Sequence, residues 1–220
     1  MTRIHILLYI VLAIIGLSLS SCGNGEKPVQ GNGYPNGIKS EKTMKKVIIL
    51  SSSPREGGNS DLLCDRFMEG AKSAGHQVEK LFLYDYEIND FIANDSLSDH
   101  TDHNAADDVQ MIMDKLVAAD VIALATPVYY YTMCGRMKTM IDRTYTRHRE
   151  LKGKEFYYII TAAVRDVNRL QRTVEEFRGF LDCLPSPQEC GIIYGMGTYN
   201  KGSIMGMPVM QEAYEMGKNI

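Results

Sequence analysis

The chain has 220 residues, with 24 lysines and arginines against 27 aspartates and glutamates, a formal net charge of −3. Apolar residues at 45% and charged residues at 23% match an ordinary globular protein and exclude a disordered, collagen-like or coiled-coil chain. Without a basic surplus to neutralise phosphates, nucleic acid is ruled out as the main partner.

The first segment reads as an address. Arg3 and His5 precede an apolar run from Ile6 to Leu17, followed by small residues and Cys22. A basic start, a short apolar core and a small-residue end define a secretory signal peptide. The run falls short of the roughly 20 residues that span a bilayer. Leu19-Ser20-Ser21-Cys22 also resembles the bacterial lipobox, which implies lipidation at Cys22 and a membrane-anchored, extracytoplasmic protein. Residues 22–43 are rich in Gly, Asn and Pro and read as a flexible tether. Removing residues 1–21 takes away Arg3 and no acid, which leaves 23 bases against 27 acids and a net charge of −4. The alternative is that translation begins at Met44 and the protein is cytoplasmic, because Met44-Lys45-Lys46-Val47 looks like the start of an intracellular α/β domain.

From Met44 to Ile220 the pattern alternates between strands and helices. Val47–Ser51 is a continuous apolar run, the mark of a strand buried on both faces. A helix follows, capped at Asn59 or Ser60 and running to about Gly75, with Leu62, Leu63, Phe67, Met68 and Ala71 on one stripe. Gln77–Tyr84 alternates as a second strand; Ala106–Ala118 is a helix, and Val121–Thr126 a third strand. Gly135–Tyr145 is a helix, Phe156–Thr161 a fourth strand, Val167–Leu181 a helix, Gly191–Tyr194 a fifth strand and Gly206–Gly217 a closing helix. Strands separated by helices predict an α/β fold: a doubly wound, flavodoxin-like, five-stranded parallel sheet in the order 2-1-3-4-5. Ligands of such sheets bind at the carboxyl ends of the strands.

Two strand exits carry the chemistry. After strand one comes Ser51-Ser52-Ser53-Pro54-Arg55-Glu56-Gly57-Gly58-Asn59-Ser60. It is neither a Walker A loop nor a Gly-x-Gly-x-x-Gly fingerprint. Its hydroxyls, arginine, paired glycines and following helix N-terminus suit a terminal phosphate; the plainer reading is a well-capped turn. After strand three comes Thr126-Pro127-Val128-Tyr129-Tyr130-Tyr131. Three successive tyrosines cannot all enter one core, so at least one offers a flat face at the sheet edge; the plainer reading is a tyrosine-rich helix start.

Together, Ser53-Pro54-Arg55-x-x-Gly58-Asn59-Ser60 and Thr126-Pro127-Val128-Tyr129 resemble the FMN loops of the NADPH-dependent FMN reductase and iron–sulfur flavoprotein family, with Met137–Arg143 fitting the helix that follows. The resemblance implies that Ser53, Arg55, Asn59 and Ser60 cradle the FMN phosphate, that Pro127, Val128, Tyr129 and Tyr130 border the isoalloxazine, and that Thr161 and Ala162, with Ala163, line its other side. It implies NAD(P)H as donor and a small acceptor, with no dedicated catalytic acid or base. By analogy it implies a homodimer. Iron–sulfur members carry a compact cysteine cluster after strand two; Tyr86–Asp108 here contains no cysteine, so the expectation is FMN without an iron–sulfur cluster.

Other features read as structural. Asp99-His100-Thr101-Asp102-His103 with Asp107 and Asp108 is taken as a solvated loop, not a metal site. The basic stretch Arg136–Lys154 is taken as a solvated face. Cys183 and Cys190 either pair after export or, for Cys190, lie buried at a strand start.

Overall fold

A computed structural model describes residues 43–93, 101 and 106–220. The leader, Cys22 and the tether lie outside the described residues, as do Asp99, His100, Asp102 and His103. The elements are β1 (Lys46–Ser51), α1 (Asn59–Ser73), β2 (Gln77–Phe82), α2 (Val109–Ala118), β3 (Val121–Tyr129), β4 (Thr132–Met133), α3 (Gly135–Arg143), β5 (Glu155–Ala162), α4 (Gln171–Leu181), β6 (Gln188–Met196) and α5 (Val209–Lys218). Five strands run parallel in the order β2-β1-β3-β5-β6. That is the expected 2-1-3-4-5 winding, with β4 added as a short antiparallel partner of β3.

Helices cover both faces because every central strand is apolar on both sides. Ile48, Leu50, Ile122 and Leu124 pack toward α2, α3 and α4. Val47, Ile49, Val121 and Ala123 pack toward α1 and α5. Helices α1 and α5 approach so closely that a Cβ on Gly70 would sit 1.9 Å from the Tyr214 carbonyl oxygen, and one on Gly217 2.1 Å from that of Phe67. Only glycine permits that contact.

The differences from the sequence reading have local causes. The cap of α1 is Gly58, not Asn59 or Ser60, and no side chain caps the helix. β2 stops at Phe82, where the chain tightens into a single 3-10 turn. α2 begins at Val109, three residues later than the pattern suggested. β3 runs on through Pro127 to Tyr129, because Val128 and Tyr129 pair with Met133 and Thr132 across a tight turn. α3 and α4 each exchange one end for 3-10 geometry, over Thr144–Thr146 and Val167–Leu170. β6 is longer than expected, paired with β5 from Gln188 onward. α5 begins only at Val209, after Pro208.

Two readings of single side chains are corrected. Arg136 and Arg143 do not belong to a solvated face. Arg136 donates to the carbonyls of Leu83 and Ile88, at 2.9 and 3.0 Å, and also to that of Tyr86. Arg143 and Asp107 form an ion pair whose side chains are 2% and 0% exposed. Cys190 is exposed rather than buried, and Cys183 and Cys190 are both free thiols.

Candidate functional site

The parallel register aligns the carboxyl ends of the strands. Ser51 of β1 lies beside Ala125 of β3, Pro127 of β3 beside Thr161 of β5, and Thr161 beside Gly195 of β6. Chain leaving these ends encloses a cleft of about 300 Å³. Nine of the ten residues expected at a flavin site line it: Ser53, Arg55, Asn59, Ser60, Pro127, Val128, Tyr129, Thr161 and Ala162. Tyr130 does not line the cleft; it sits at the tip of the β3–β4 turn, 98% exposed. Thr198 and Tyr199, which follow β6, complete the wall and were missed. The available signal was their position just after the last parallel strand, at the sheet edge where ligands of such folds bind. A larger apolar cavity, of about 470 Å³, lies away from the strand ends and is walled by Phe91, Ile141, Tyr145 and Phe180.

The exit of β1 is shaped by its own hydrogen bonds. The Ser52 hydroxyl donates to the Ala125 carbonyl at 2.7 Å, which ties the loop to β3. The Gly58 amide donates to the Arg55 carbonyl at 2.8 Å and closes a turn in which Gly57 has φ +63°. The Arg55 amide donates to the Ser53 hydroxyl at 3.1 Å. A Cβ on Gly58 would lie 2.7 Å from the Arg55 carbonyl and 2.8 Å from Ser53 Oγ, so this position must be glycine. The Asn59 amide group faces the far wall. It donates to the Asn200 carbonyl at 2.9 Å and accepts from the Ile204 amide at 3.2 Å.

Three observations make this end of the cleft a fit for a phosphate. The helix α1 has no side-chain cap, so its first amides keep their hydrogen-bonding capacity and its dipole favours an anion. Ser60 is 1% exposed and its hydroxyl has no hydrogen-bond partner in the protein. A buried hydroxyl without a partner is costly, and of the three such hydroxyls among the described residues, on Ser60, Thr146 and Tyr158, only that of Ser60 belongs to a residue lining the cleft, where a ligand atom can reach it. Arg55 is the one charged side chain among the described residues that line the cleft. Its guanidinium donates a long 3.4 Å bond to the Tyr199 carbonyl.

The opposite end is flatter and less polar. Pro127 and Val128 end β3, and Thr161, Ala162 and Ala163 face them from β5 and its exit. The Thr126 hydroxyl accepts from the Cys134 amide at 3.0 Å, and the Cys134 thiol donates to the Ser52 carbonyl at 3.1 Å. These bonds join the β4 hairpin to the β1 exit beneath the cleft. Tyr129 is 43% exposed at the mouth. Burial pushes its phenol above the ordinary value, against the opposing pull of Arg55. Tyr130 and Tyr131 take φ of +51° and +64°, the left-handed conformation that a two-residue hairpin of this hand demands. Tyr131 is held by Arg169, which donates to its hydroxyl at 2.9 Å and lies 5.6 Å above its ring. Among the described residues, no group of three His, Cys, Asp or Glu side chains converges to hold a metal.

Comparison with known proteins agrees with this geometry. Residues 45–188 match the family described as NADPH-dependent FMN reductase, and the chain belongs to that family. It is 28% identical over 124 residues to an iron-sulfur flavoprotein of Archaeoglobus fulgidus, covering 55% of this chain and 61% of that protein. A Bacillus subtilis protein, YwqN, assigned as an NAD(P)H-dependent FMN-containing oxidoreductase, is 25% identical over 162 residues, 73% of this chain and 84% of its own. Among solved structures, an NAD(P)H:quinone oxidoreductase from Methanothermobacter marburgensis superposes with a TM-score of 0.63 at 18% identity, over 80% of this chain and 97% of that one. The last shows the shared flavodoxin-like fold.

Proposed function

We propose that this protein is an FMN-dependent NAD(P)H oxidoreductase of the flavin or quinone reductase type. The observation that carries the reading is the partnerless, buried Ser60 hydroxyl beside Arg55 and an uncapped helix, in a cleft at the carboxyl edge of the sheet. Family membership supports it.

Arg55, Ser60 and the first amides of α1 would hold the FMN phosphate, and Pro127–Tyr129 with Thr161–Ala163 would bracket the ring. Bound FMN would supply the hydride chemistry between a nicotinamide donor and a small acceptor. The protein's task is to orient the cofactor. The Ser52, Thr126 and Cys134 bonds fix the strand exits relative to one another. Tyr129 and Tyr199, 43% and 78% exposed, frame an open mouth through which a second flat ring can enter. The purified protein is expected to be yellow and to release FMN on denaturation. A colourless protein that leaves the fluorescence of added FMN unchanged overturns the reading.

The leader supports a location outside the cytoplasm, with Cys22 lipidated and residues 22–43 as the tether. Nicotinamides are scarce there, so the NAD(P)H donor belongs to the alternative of a cytoplasmic chain starting at Met44, and an exported enzyme would draw electrons from another carrier. Intact mass of the mature protein tests this: a lipidated N-terminus at Cys22 supports it, and a chain beginning at Met44 overturns it.

A further inference from the structure

Asp61 stands in the first turn of α1, the wrong place for a negative charge if a phosphate is to dock one residue away. It is 3% exposed. Its Oδ2 accepts from the Gly57 amide at 2.9 Å. Its Oδ1 accepts from the Ser51 hydroxyl at 2.9 Å and from Lys80 Nζ at 2.9 Å. Lys80 comes from β2 and also donates to Asp65 at 2.6 Å. Burial pulls its ammonium down, but the bonds to Asp65 and Asp61 outweigh that and hold it above the ordinary lysine value. Neither Asp61 nor Lys80 lines the cleft.

Resting on the reading of the cleft as an FMN site, we propose that Asp61 and Lys80 are positioning residues: a lysine-bridged clamp that holds the Arg55–Gly58 turn ready for phosphate while Lys80 offsets the buried Asp61 charge, and so lets the chain tell FMN from riboflavin. The carboxylate does two opposing things. It pins Gly57 in its left-handed conformation through the amide bond, which shapes the turn, closed by the Gly58 amide on the Arg55 carbonyl, that sets Arg55 on the cleft wall and leads into the first amides of α1. It also places a buried negative charge near a doubly charged group. Lys80 removes the second effect without disturbing the first, because it binds the other carboxylate oxygen.

The test is the ratio of riboflavin to FMN dissociation constants, read by flavin fluorescence on the flavin-stripped full chain. Riboflavin shares the ring and lacks the phosphate, so a merely structural loss weakens both ligands alike. Lys80→Met is expected to weaken FMN about tenfold and leave riboflavin within about twofold, since the buried charge is then uncompensated. Asp61→Ala, which frees the Gly57 amide, is expected to weaken FMN similarly. Asp61→Asn keeps an acceptor for that amide and drops the charge, so FMN affinity is expected to stay at least at the wild-type level. Adding Asp61→Asn to Lys80→Met is expected to restore most of the loss. An unchanged ratio in Lys80→Met, equal weakening of both flavins, or no rescue in the double variant overturns the proposal. Should Lys80→Met fail to fold, the Asp61→Ala and Asp61→Asn pair decides alone: equal FMN affinities in the two overturn the clamp. A wild-type chain that binds riboflavin and FMN equally, or neither, removes the phosphate reading itself and the clamp with it.

Discussion

At one end of the cleft, Ser53, Arg55, Gly58, Asn59 and Ser60 come from a single short stretch between β1 and α1, and the backbone there is closed by its own hydrogen bonds. At the other end, Pro127–Tyr129, Thr161–Ala163 and Thr198–Tyr199 come from three separate strand exits, joined only by register and long-range contacts. At the first end Ser53, Gly58 and Ser60 are buried and an exposed Arg55 carries the charge; the second is half open, with Tyr129 and Tyr199 exposed at its mouth. The contrast matches a division of labour. A group that must be held for the life of the protein needs a preorganised, dry seat, whereas a site that exchanges substrates needs access.

The contrast can be broken most severely from behind the open end. The hairpin at that end leads into α3, whose Arg143 donates to Asp107, with one bond at 3.1 Å, and to the Asn89 carbonyl at 3.0 Å. Arg143→Ala leaves the Asp107 carboxylate buried without its partner and is expected to cost about 3–5 kcal/mol in urea unfolding. Next in size is the closed end. Arg55→Ala is expected to weaken FMN by about ten- to a hundredfold while riboflavin binding holds, as for loss of a charge-assisted bond. Gly58→Ala, whose new methyl meets the Arg55 carbonyl and Ser53, should weaken FMN over the same range or somewhat less, from about 1–3 kcal/mol of overpacking. Flavin titration measures both.

A smaller effect is a pH dependence. Burial raises the Asp107 carboxyl, but Arg143 and the amides of Asn89 and Val109 outweigh it and hold it below the ordinary value of 3.8. A carboxylate depressed in the folded state stabilises above the unfolded value and loses that contribution as pH falls through the lower folded one. Stability is therefore expected to decline from about pH 4 downward, and Asp107→Asn should flatten that limb of the pH–stability curve. The smallest change sharpens the contrast. Tyr130→Gly relieves a left-handed tyrosine and is expected to stabilise the chain by roughly 1 kcal/mol without altering FMN affinity. A fall in FMN affinity in this variant would mean that the exposed tip belongs to the cofactor's seat after all.

Much of this was legible in the order of the residues. Apolar runs such as Val47–Leu50 and Val121–Ala125, spaced by amphipathic stretches, dictate a parallel sheet covered on both sides, because nothing else buries a strand that is apolar on both faces. The β1 exit was readable because its signals are local: hydroxyls, an arginine and two glycines ahead of a helix. Tyr130 was misplaced because three tyrosines in a row carry no mark of where β3 ends; the pairing of Val128 with Met133 decides that, and it turns Tyr130 outward. Arg143 looked like surface for a similar reason, since its burial depends on Asp107 arriving from another part of the chain. Thr198 and Tyr199 were invisible for want of any local motif. The sequence by itself determined the sheet and the glycine-closed loop between β1 and α1, where period and turn chemistry act over a few neighbours. Only the tertiary structure decided which distant strand exits meet, which charges are buried in pairs, and that Ser60 is left without a partner, because each depends on contacts between residues far apart in the chain.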